Sequence, residues 1–272
     1  MKQANKWLMR VAAMLLAIGI APVASAREHF SVANEGVRDT RTRFFVAAAW
    51  FSLAVAIVGF TKTFFMPLAG SRFHAPPIVF IHGALFFGWV SLFVLQTNLI
   101  RLKKRSLHRV VGWCMAVMAI GMMIATVAVQ VFAVKRDVAI GGGQTAISNL
   151  VGGCTSMLLF GGLVTAGVLN RHRPDFHKRL MLLATISVMW PAWFRFRHYF
   201  PSVPHPEYVF AIFFANTLTL VAMLYDKFTI GRIHPVYLWV GLGIIAEQTM
   251  ETLLFDNAGW RVVANWLAGF LL

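Results

Sequence analysis

The stretch HGALFFGWVSLFVLQTNLIRLKKRSLHRVVG, from His82 to Gly112, decides the fold of this chain. It begins with an apolar run of about 20 residues, long enough to cross a bilayer as a helix. A short basic turn and the start of a second apolar run follow. The first run opens on His82 and carries Gln96 near its far end, and the turn surrounds His108 with arginine and lysine. This pattern predicts a membrane helical hairpin whose basic turn faces the cytoplasm.

The composition extends this interpretation to the rest of the chain. Of its 272 residues 58% are hydrophobic, and the mean hydropathy is +0.69. Soluble domains are about 45–50% apolar. The net charge of +15 arises mostly in the loops between apolar runs, which favours a membrane protein that meets anionic lipid head groups over one that binds nucleic acid. Cys114 and Cys154 lie within apolar runs and lack the spacing of a metal site or a disulfide framework.

The N-terminal residues 1–26 are typical of a signal peptide or of an extra apolar segment. A basic start is followed by an apolar run and then by Ala24-Ser25-Ala26, which matches the small-residue cleavage pattern. Residues 27–272 are then expected to form a single transmembrane helical domain.

The apolar runs predict an all-α integral membrane bundle of about seven transmembrane helices. The candidate spans are 43–63, 77–100, 109–134, 147–169, 178–199, 208–225 and 235–254. The final residues from Trp260 onward are too few to cross and suit the membrane interface.

Basic residues orient this bundle in the membrane. With residues 27–43 in the cytoplasm, the segments on that side hold 15 Lys and Arg residues and those on the other side hold seven. This excess predicts a multi-pass protein of the bacterial inner membrane with the turns 101–109 and 171–179 inside. A cleaved signal peptide would instead place residue 27 outside and invert the topology. We favour the orientation set by the two turns, because the rule is strongest for short, charge-dense loops.

The two basic turns share one pattern. LIRLKKRSLHRVVGW (99–113) and VLNRHRPDFHKRLML (168–182) each end an apolar run, pass through basic residues and place a histidine before the next run. His108 and His177 occupy the same place in the pattern. We therefore expect two repeated helical hairpins at the centre of the fold.

Three segments together resemble a family of bacterial multi-pass membrane proteins of unknown function: HGALFFGWVSLFVLQTNLI, LHRVVGW and RPDFHKRLMLLATISVMWPAWFR. In that family the blocks HGAL, Q-x-x-L, LHR-x-x-G and HKRLMLLATI-x-x-x-x-PA-x-x-R recur together. The likeness runs from about Arg41 to the C-terminal tryptophans, and the first 26 residues depart from it. The resemblance implies a seven-helix membrane fold and no particular chemistry.

One candidate site is an outer polar cluster drawn from three spans. Helix direction places its members at similar depth: His82, Arg195, Arg197, His198, Glu247 and Glu251. Ionisable groups within a membrane are costly and are functional candidates. They can form a metal site, or His82 and His198 can hold a haem iron. Alternatively, Arg195–Glu247 or Arg197–Glu251 ion pairs simply satisfy buried charge and join the helices.

The second candidate site is the inner histidine pair. His108 and His177 begin two helices at equal depth and are candidate axial ligands of a b-type haem or ligands of a quinone. Against this, both lie at the water interface, where histidines also cap helices and contact lipid phosphate.

Three classes of function remain open from the sequence. The first is a membrane redox protein that binds b-type haem or quinone through these histidines. The second is a proton-coupled transporter, and the third is a non-catalytic structural or assembly subunit with a membrane-complex partner or a second copy of itself. The chain carries no phosphate loop, metalloprotease motif or nucleophile–base pair.

Overall fold

The basic turns and proline residues divide the chain into antiparallel helices, which a computed structural model describes over residues 42–272. The proposed signal segment, residues 1–26, lies outside this range. The first five helices are α1 (Thr42–Ala69), α2 (Pro77–Arg101), α3 (Arg105–Ala139), α4 (Gly143–Leu169) and α5 (Pro174–Ser187). Proline at the first position of α2 and α5 suits a helix start, because the missing N–H would have no partner there.

The second half of the chain is less regular. Helix α6 (Trp190–Phe194) continues as a 3₁₀ turn (Arg195–His198), and α7 (Glu207–Ile230) opens with a π-helical segment. Helix α8 joins a π-helical segment (Val236–Gly241) to Leu242–Leu254, and α9 (Ala258–Leu271) ends the chain. The described residues contain no strand, so the prediction of an all-α fold is confirmed for them.

Five of these helices, α1 to α4 and α7, are long and apolar enough to cross a membrane. An exposed apolar stripe on α3 is consistent with a lipid environment. Its members recur every three or four residues and are each at least 60% exposed: Val110, Trp113, Val117, Ile120 and Ile124. Water would penalise such a continuous stripe, whereas lipid does not.

The predicted span 178–199 is interrupted. Helix α5 has 14 residues and ends at Ser187, so it rises about 21 Å, less than a bilayer core. The chain restarts at Trp190 with Pro191 in the first turn of α6. Proline cannot donate a backbone hydrogen bond to the preceding turn, and its ring clashes with that turn. The break therefore separates Arg195 and Arg197 from the continuous helix of α5.

Helices α2 to α5 pack each against the next, and the described residues from Phe45 to Leu272 form one compact unit. The fully buried Trp89 lies at the centre of these helices. Its indole N–H donates to Thr185 Oγ1 at 3.3 Å, and its ring meets Phe160 edge to face at 4.9 Å. One side chain therefore joins α2, α4 and α5.

Asp256, in the turn between α8 and α9, fastens the C-terminal helix to α4. Its carboxylate accepts two hydrogen bonds from Arg261, at 2.9 and 2.8 Å, and further bonds from Thr145 and Ser148 of α4. Trp260 Nε1 also donates to the carbonyl oxygen of Ser148 at 2.9 Å. The pKa of Asp256 is lowered well below its ordinary value, chiefly by the hydrogen bonds from Arg261.

We expect this network to weaken in acid. Because the folded pKa of Asp256 is depressed, its stabilisation is complete above the ordinary aspartate pKa of about 4 and is lost as the pH falls below that value. Asp256→Asn should therefore reduce the loss of melting temperature measured between about pH 7 and pH 3 in detergent. Asp137→Asn, which removes a surface partner of Arg136, is the matched control. Equal acid sensitivity in the wild type and Asp256→Asn would contradict the prediction.

Candidate functional site

His108 and His177 meet at the end of the bundle that carries the turns 102–104 and 170–173, called the histidine end below. Each is the fourth residue of its helix, α3 or α5. Their ring centroids are 6.2 Å apart and their planes are nearly perpendicular, at 87°. Two histidines from separate hairpins are thus direct neighbours.

A backbone contact fixes the ring of His177. Its Nδ1 lies 2.8 Å from the carbonyl oxygen of Gly167 on α4. Because a carbonyl oxygen only accepts, Nδ1 carries the hydrogen and the lone pair is on Nε2. A ring nitrogen held in this way is the usual arrangement behind a histidine that binds a metal or accepts a hydrogen bond.

The polar atoms around His108 are less fully hydrogen-bonded than those around His177. Gln96 Nε2 donates to the backbone carbonyl of His108 at 3.1 Å, which ties the end of α2 to the start of α3. Two buried atoms, Gln96 Oε1 and His108 Nδ1, have no hydrogen-bond partner among the described residues. Such orphaned atoms are uncommon in folded proteins and call for a partner, because each costs about 1–3 kcal/mol when unpaired.

Exposed cations surround this pair. They come from both turns and the helix starts beside them: Arg101, Lys103, Lys104, Arg105, Arg109, Arg171 and Arg173. Over residues 42–272 none of these groups forms a hydrogen bond with the buried ring atoms. The histidine pair therefore lies beneath a cationic surface.

At the opposite end, Arg195 of the outer polar cluster packs against α1, whereas Arg197 contacts α6. Arg195 donates to Thr63 Oγ1 at 3.1 Å and to the carbonyl of Pro191 at 2.8 Å, and its guanidinium lies 4.1 Å from the Phe60 ring centroid. Arg197 donates to the Phe194 carbonyl and lies 3.8 Å from that ring. Carbonyl oxygens and aromatic faces satisfy both charges.

His82 belongs to the same region. The Thr126 hydroxyl donates its hydrogen to the Met122 carbonyl oxygen at 2.8 Å. Thr126 Oγ1 is therefore the acceptor in the 3.4 Å contact with His82, and His82 Nδ1 is the donor. Arg195 is close enough to interact with the ring electrostatically. His198 is exposed, and its backbone carbonyl accepts from Lys62. Within the described range, no ring contact joins His82 to His198.

The two glutamates of the cluster face α4 instead. Glu247 and Glu251 lie beside Thr155, and the Glu251 carboxylate occupies the space that a side chain at Gly152 would fill. In residues 42–272 neither arginine forms an ion pair with either glutamate. The structure therefore brings His82 near Arg195, whereas the carboxylates of Glu247 and Glu251 lie against α4.

A buried ion pair that we did not predict joins α5 to α7. Arg179 and Asp226, with side chains 2% and 4% exposed, form two hydrogen bonds of 2.8 and 2.7 Å. The guanidinium also donates to the backbone carbonyl of Asp175 and lies 5.6 Å from the Tyr237 ring centroid. The pair lies at the histidine end, two residues after His177.

The sequence carries a signal for this pair. Arg179 lies three, four and seven residues before the buried Leu182, Leu183 and Ile186, so it continues the apolar face of α5. A basic residue on a buried face needs a carboxylate partner. The predicted basic turn 171–179 included Arg179 as its last residue, whereas the structure places this arginine inside the bundle.

Comparison with protein-family models, with curated proteins and with solved structures finds no match for this chain.

Proposed function

We propose that this chain is a seven-helix redox protein of the bacterial inner membrane, built on two repeated hairpins, and that its histidine pair binds a b-type haem or a quinone. The single observation that supports this is the 6.2 Å approach of His108 to His177. Both hairpins contribute the same position to one place, as expected for a site at a repeat interface. The resemblance to a family of bacterial membrane proteins agrees with the membrane part of the proposal.

The separation suits two imidazoles on one metal ion. With a metal–nitrogen bond of about 2 Å on each side, two coordinating rings hold their centres about 6 Å apart. Haem iron accepts such axial histidines. His177, with Nδ1 bound to Gly167, offers Nε2, and His108 offers a ring nitrogen that has no partner in the described part of the chain.

The same atoms suit a quinone. A quinone carbonyl oxygen accepts a hydrogen bond from an imidazole N–H, and the hydroxyl of the reduced form donates to an amide oxygen. His108 Nδ1 and Gln96 Oε1 are the unpartnered atoms of these two kinds. Anionic head groups are the partners we propose for the surrounding cations.

We expect His108→Ala and His177→Ala each to lower the bound cofactor at least about tenfold, because each removes one of two direct contacts. The measurement is the visible spectrum of detergent-purified protein from haem-replete cells, oxidised and reduced, with quantification of co-extracted quinone. His172→Ala is the matched control, since His172 is an exposed residue of the neighbouring turn. Wild-type protein that carries neither pigment nor quinone would refute the proposal.

A further inference from the structure

An open groove lies at the C-terminal end of α1, on the side of the bundle opposite the histidine end. It has a volume of about 490 Å³ and is lined by Lys62, Met66, Pro67 and Arg72. Sites for small molecules in proteins have volumes of about 300–1,000 Å³. Two of the lining residues are cations and two are apolar, so the groove suits a ligand that has both an anionic and an apolar part.

The backbone at the end of α1 brings the two cations to this groove. Helix α1 becomes π-helical over Thr61–Phe65, a rare conformation that is frequent at functional sites. After the helix ends, the backbone N–H of Arg72 donates to the carbonyl oxygen of Pro67 at 2.8 Å. Arg72 Nε would lie 3.1 Å from a Cβ atom at Gly70. The turn therefore folds Arg72 back over the end of the helix that carries Lys62.

Both cations keep hydrogen-bond donors for a ligand. Lys62 Nζ donates to the backbone carbonyl oxygen of His198 at 3.0 Å and lies 4.4 Å from the Tyr199 ring centroid. An ammonium group has three N–H donors, so two of them remain. The exposed guanidinium of Arg72 forms no hydrogen bond within residues 42–272. Lys62 is thus held in place by the segment after α6, while most of the donors in the groove are unused.

Positive charge is concentrated beside the groove without a counter-charge. Three cations are close enough to His198 to interact with it electrostatically: Lys62, Arg195 and Arg197. In the part of the chain that the structure describes, no carboxylate forms an ion pair with these cations or with Arg72. A cleft lined by charges of one sign attracts ligands of the opposite sign. The groove therefore favours a ligand of net negative charge.

We propose that the groove binds an anionic phospholipid, of the class of phosphatidylglycerol, on the side of the membrane opposite the histidine end. Lys62 and Arg72 donate charge-assisted hydrogen bonds to the phosphate oxygens. The glycerol region lies against Met66, which is 57% exposed, and Pro67. Because α1 is long and apolar enough to cross a membrane, its last turn lies near the lipid head groups.

The alternatives fit the groove less well. The cationic group of a zwitterionic lipid is repelled by the surrounding basic residues, and free phosphate has no apolar part to cover Met66. The proposal rests on the membrane location of the chain and not on the histidine pair, so either site can fail without the other.

The test is photo-crosslinking in vesicles. The full-length protein is reconstituted in phosphatidylcholine vesicles that contain a small, sub-saturating fraction of phosphatidylglycerol with a photoactivatable group near its glycerol. Mass spectrometry of peptides then locates the label. We expect label on segment 62–72 and competition by unlabelled phosphatidylglycerol, but no competition by inorganic phosphate. Lys62→Gln and Arg72→Gln should each lower this label about tenfold, which corresponds to roughly 1.4 kcal/mol of binding free energy.

The matched control is Lys135→Gln, which removes an exposed cation at the same end of the bundle but outside the groove. It should leave the label on segment 62–72 unchanged. Equal labelling by a phosphatidylcholine probe of the same design would overturn the proposal, because it would show lipid contact without selection. Loss of the label on addition of inorganic phosphate would also overturn it and assign the groove to a free anion. So would label that persists in both Lys62→Gln and Arg72→Gln.

Discussion

Asp226→Asn is expected to lower the free energy of unfolding by about 3–5 kcal/mol, the cost of removing one partner of a buried ion pair. The change keeps the size of the side chain and strands the charge of Arg179. That guanidinium is 2% exposed and would retain the contacts to Asp175 and the face of Tyr237, with an uncharged amide oxygen in place of the carboxylate. The measurement is denaturant unfolding of the purified protein in mixed micelles.

A surface control and a double variant test whether the loss of stability comes from the buried charge. Asp137→Asn removes a carboxylate from a surface pair with Arg136 and should cost no more than about 1 kcal/mol. Arg179→Met combined with Asp226→Leu should recover most of the loss, since apolar replacements of both partners leave no buried charge. If Asp226→Asn were as mild as Asp137→Asn, Arg179 would have to reach water or another acceptor.

Gly59→Ala is expected to destabilise the protein by about 1–3 kcal/mol or more through overpacking. A Cβ at position 59 would overlap the carbonyl oxygen of Ala192 and lie 2.9 Å from its carbonyl carbon. The obstacle is backbone, so no side-chain rotation relieves the clash, and α1 must move away from α6. Close approach through small residues is a common means of helix association in membranes.

The matched control is Gly162→Ala in α4, where the added methyl group meets nothing within 4 Å. Alanine forms helices better than glycine, so this variant should be neutral or up to about 1 kcal/mol more stable. Melting temperatures in one detergent compare the two variants directly. Equal stability of Gly59→Ala and Gly162→Ala would mean that α1 and α6 separate without cost. Because Arg195 stacks on Phe60 beside Gly59, any movement of α1 should also disturb Arg195.

The sequence alone predicted the all-α class, the apolar helices and the equal depth of His108 and His177. Each of these properties is local. An apolar run of sufficient length has to satisfy its backbone within a helix, and a basic turn marks the end where two helices reverse. Counting residues along each helix then gives depth, which is why both histidines were expected at one end.

Tertiary structure decided which residues at one depth become neighbours. Arg195 and Glu247 share a predicted depth, yet the arginine packs on Phe60 and the glutamate lies beside Thr155. Arg179 finds Asp226, 47 positions later in the chain. Depth follows from rise along a helix, whereas rotation about the helix axis and the order of helices follow from side-chain packing. Small changes alter both, such as the break before Pro191, so sequence spacing determines how deep a side chain lies and packing alone determines what it touches.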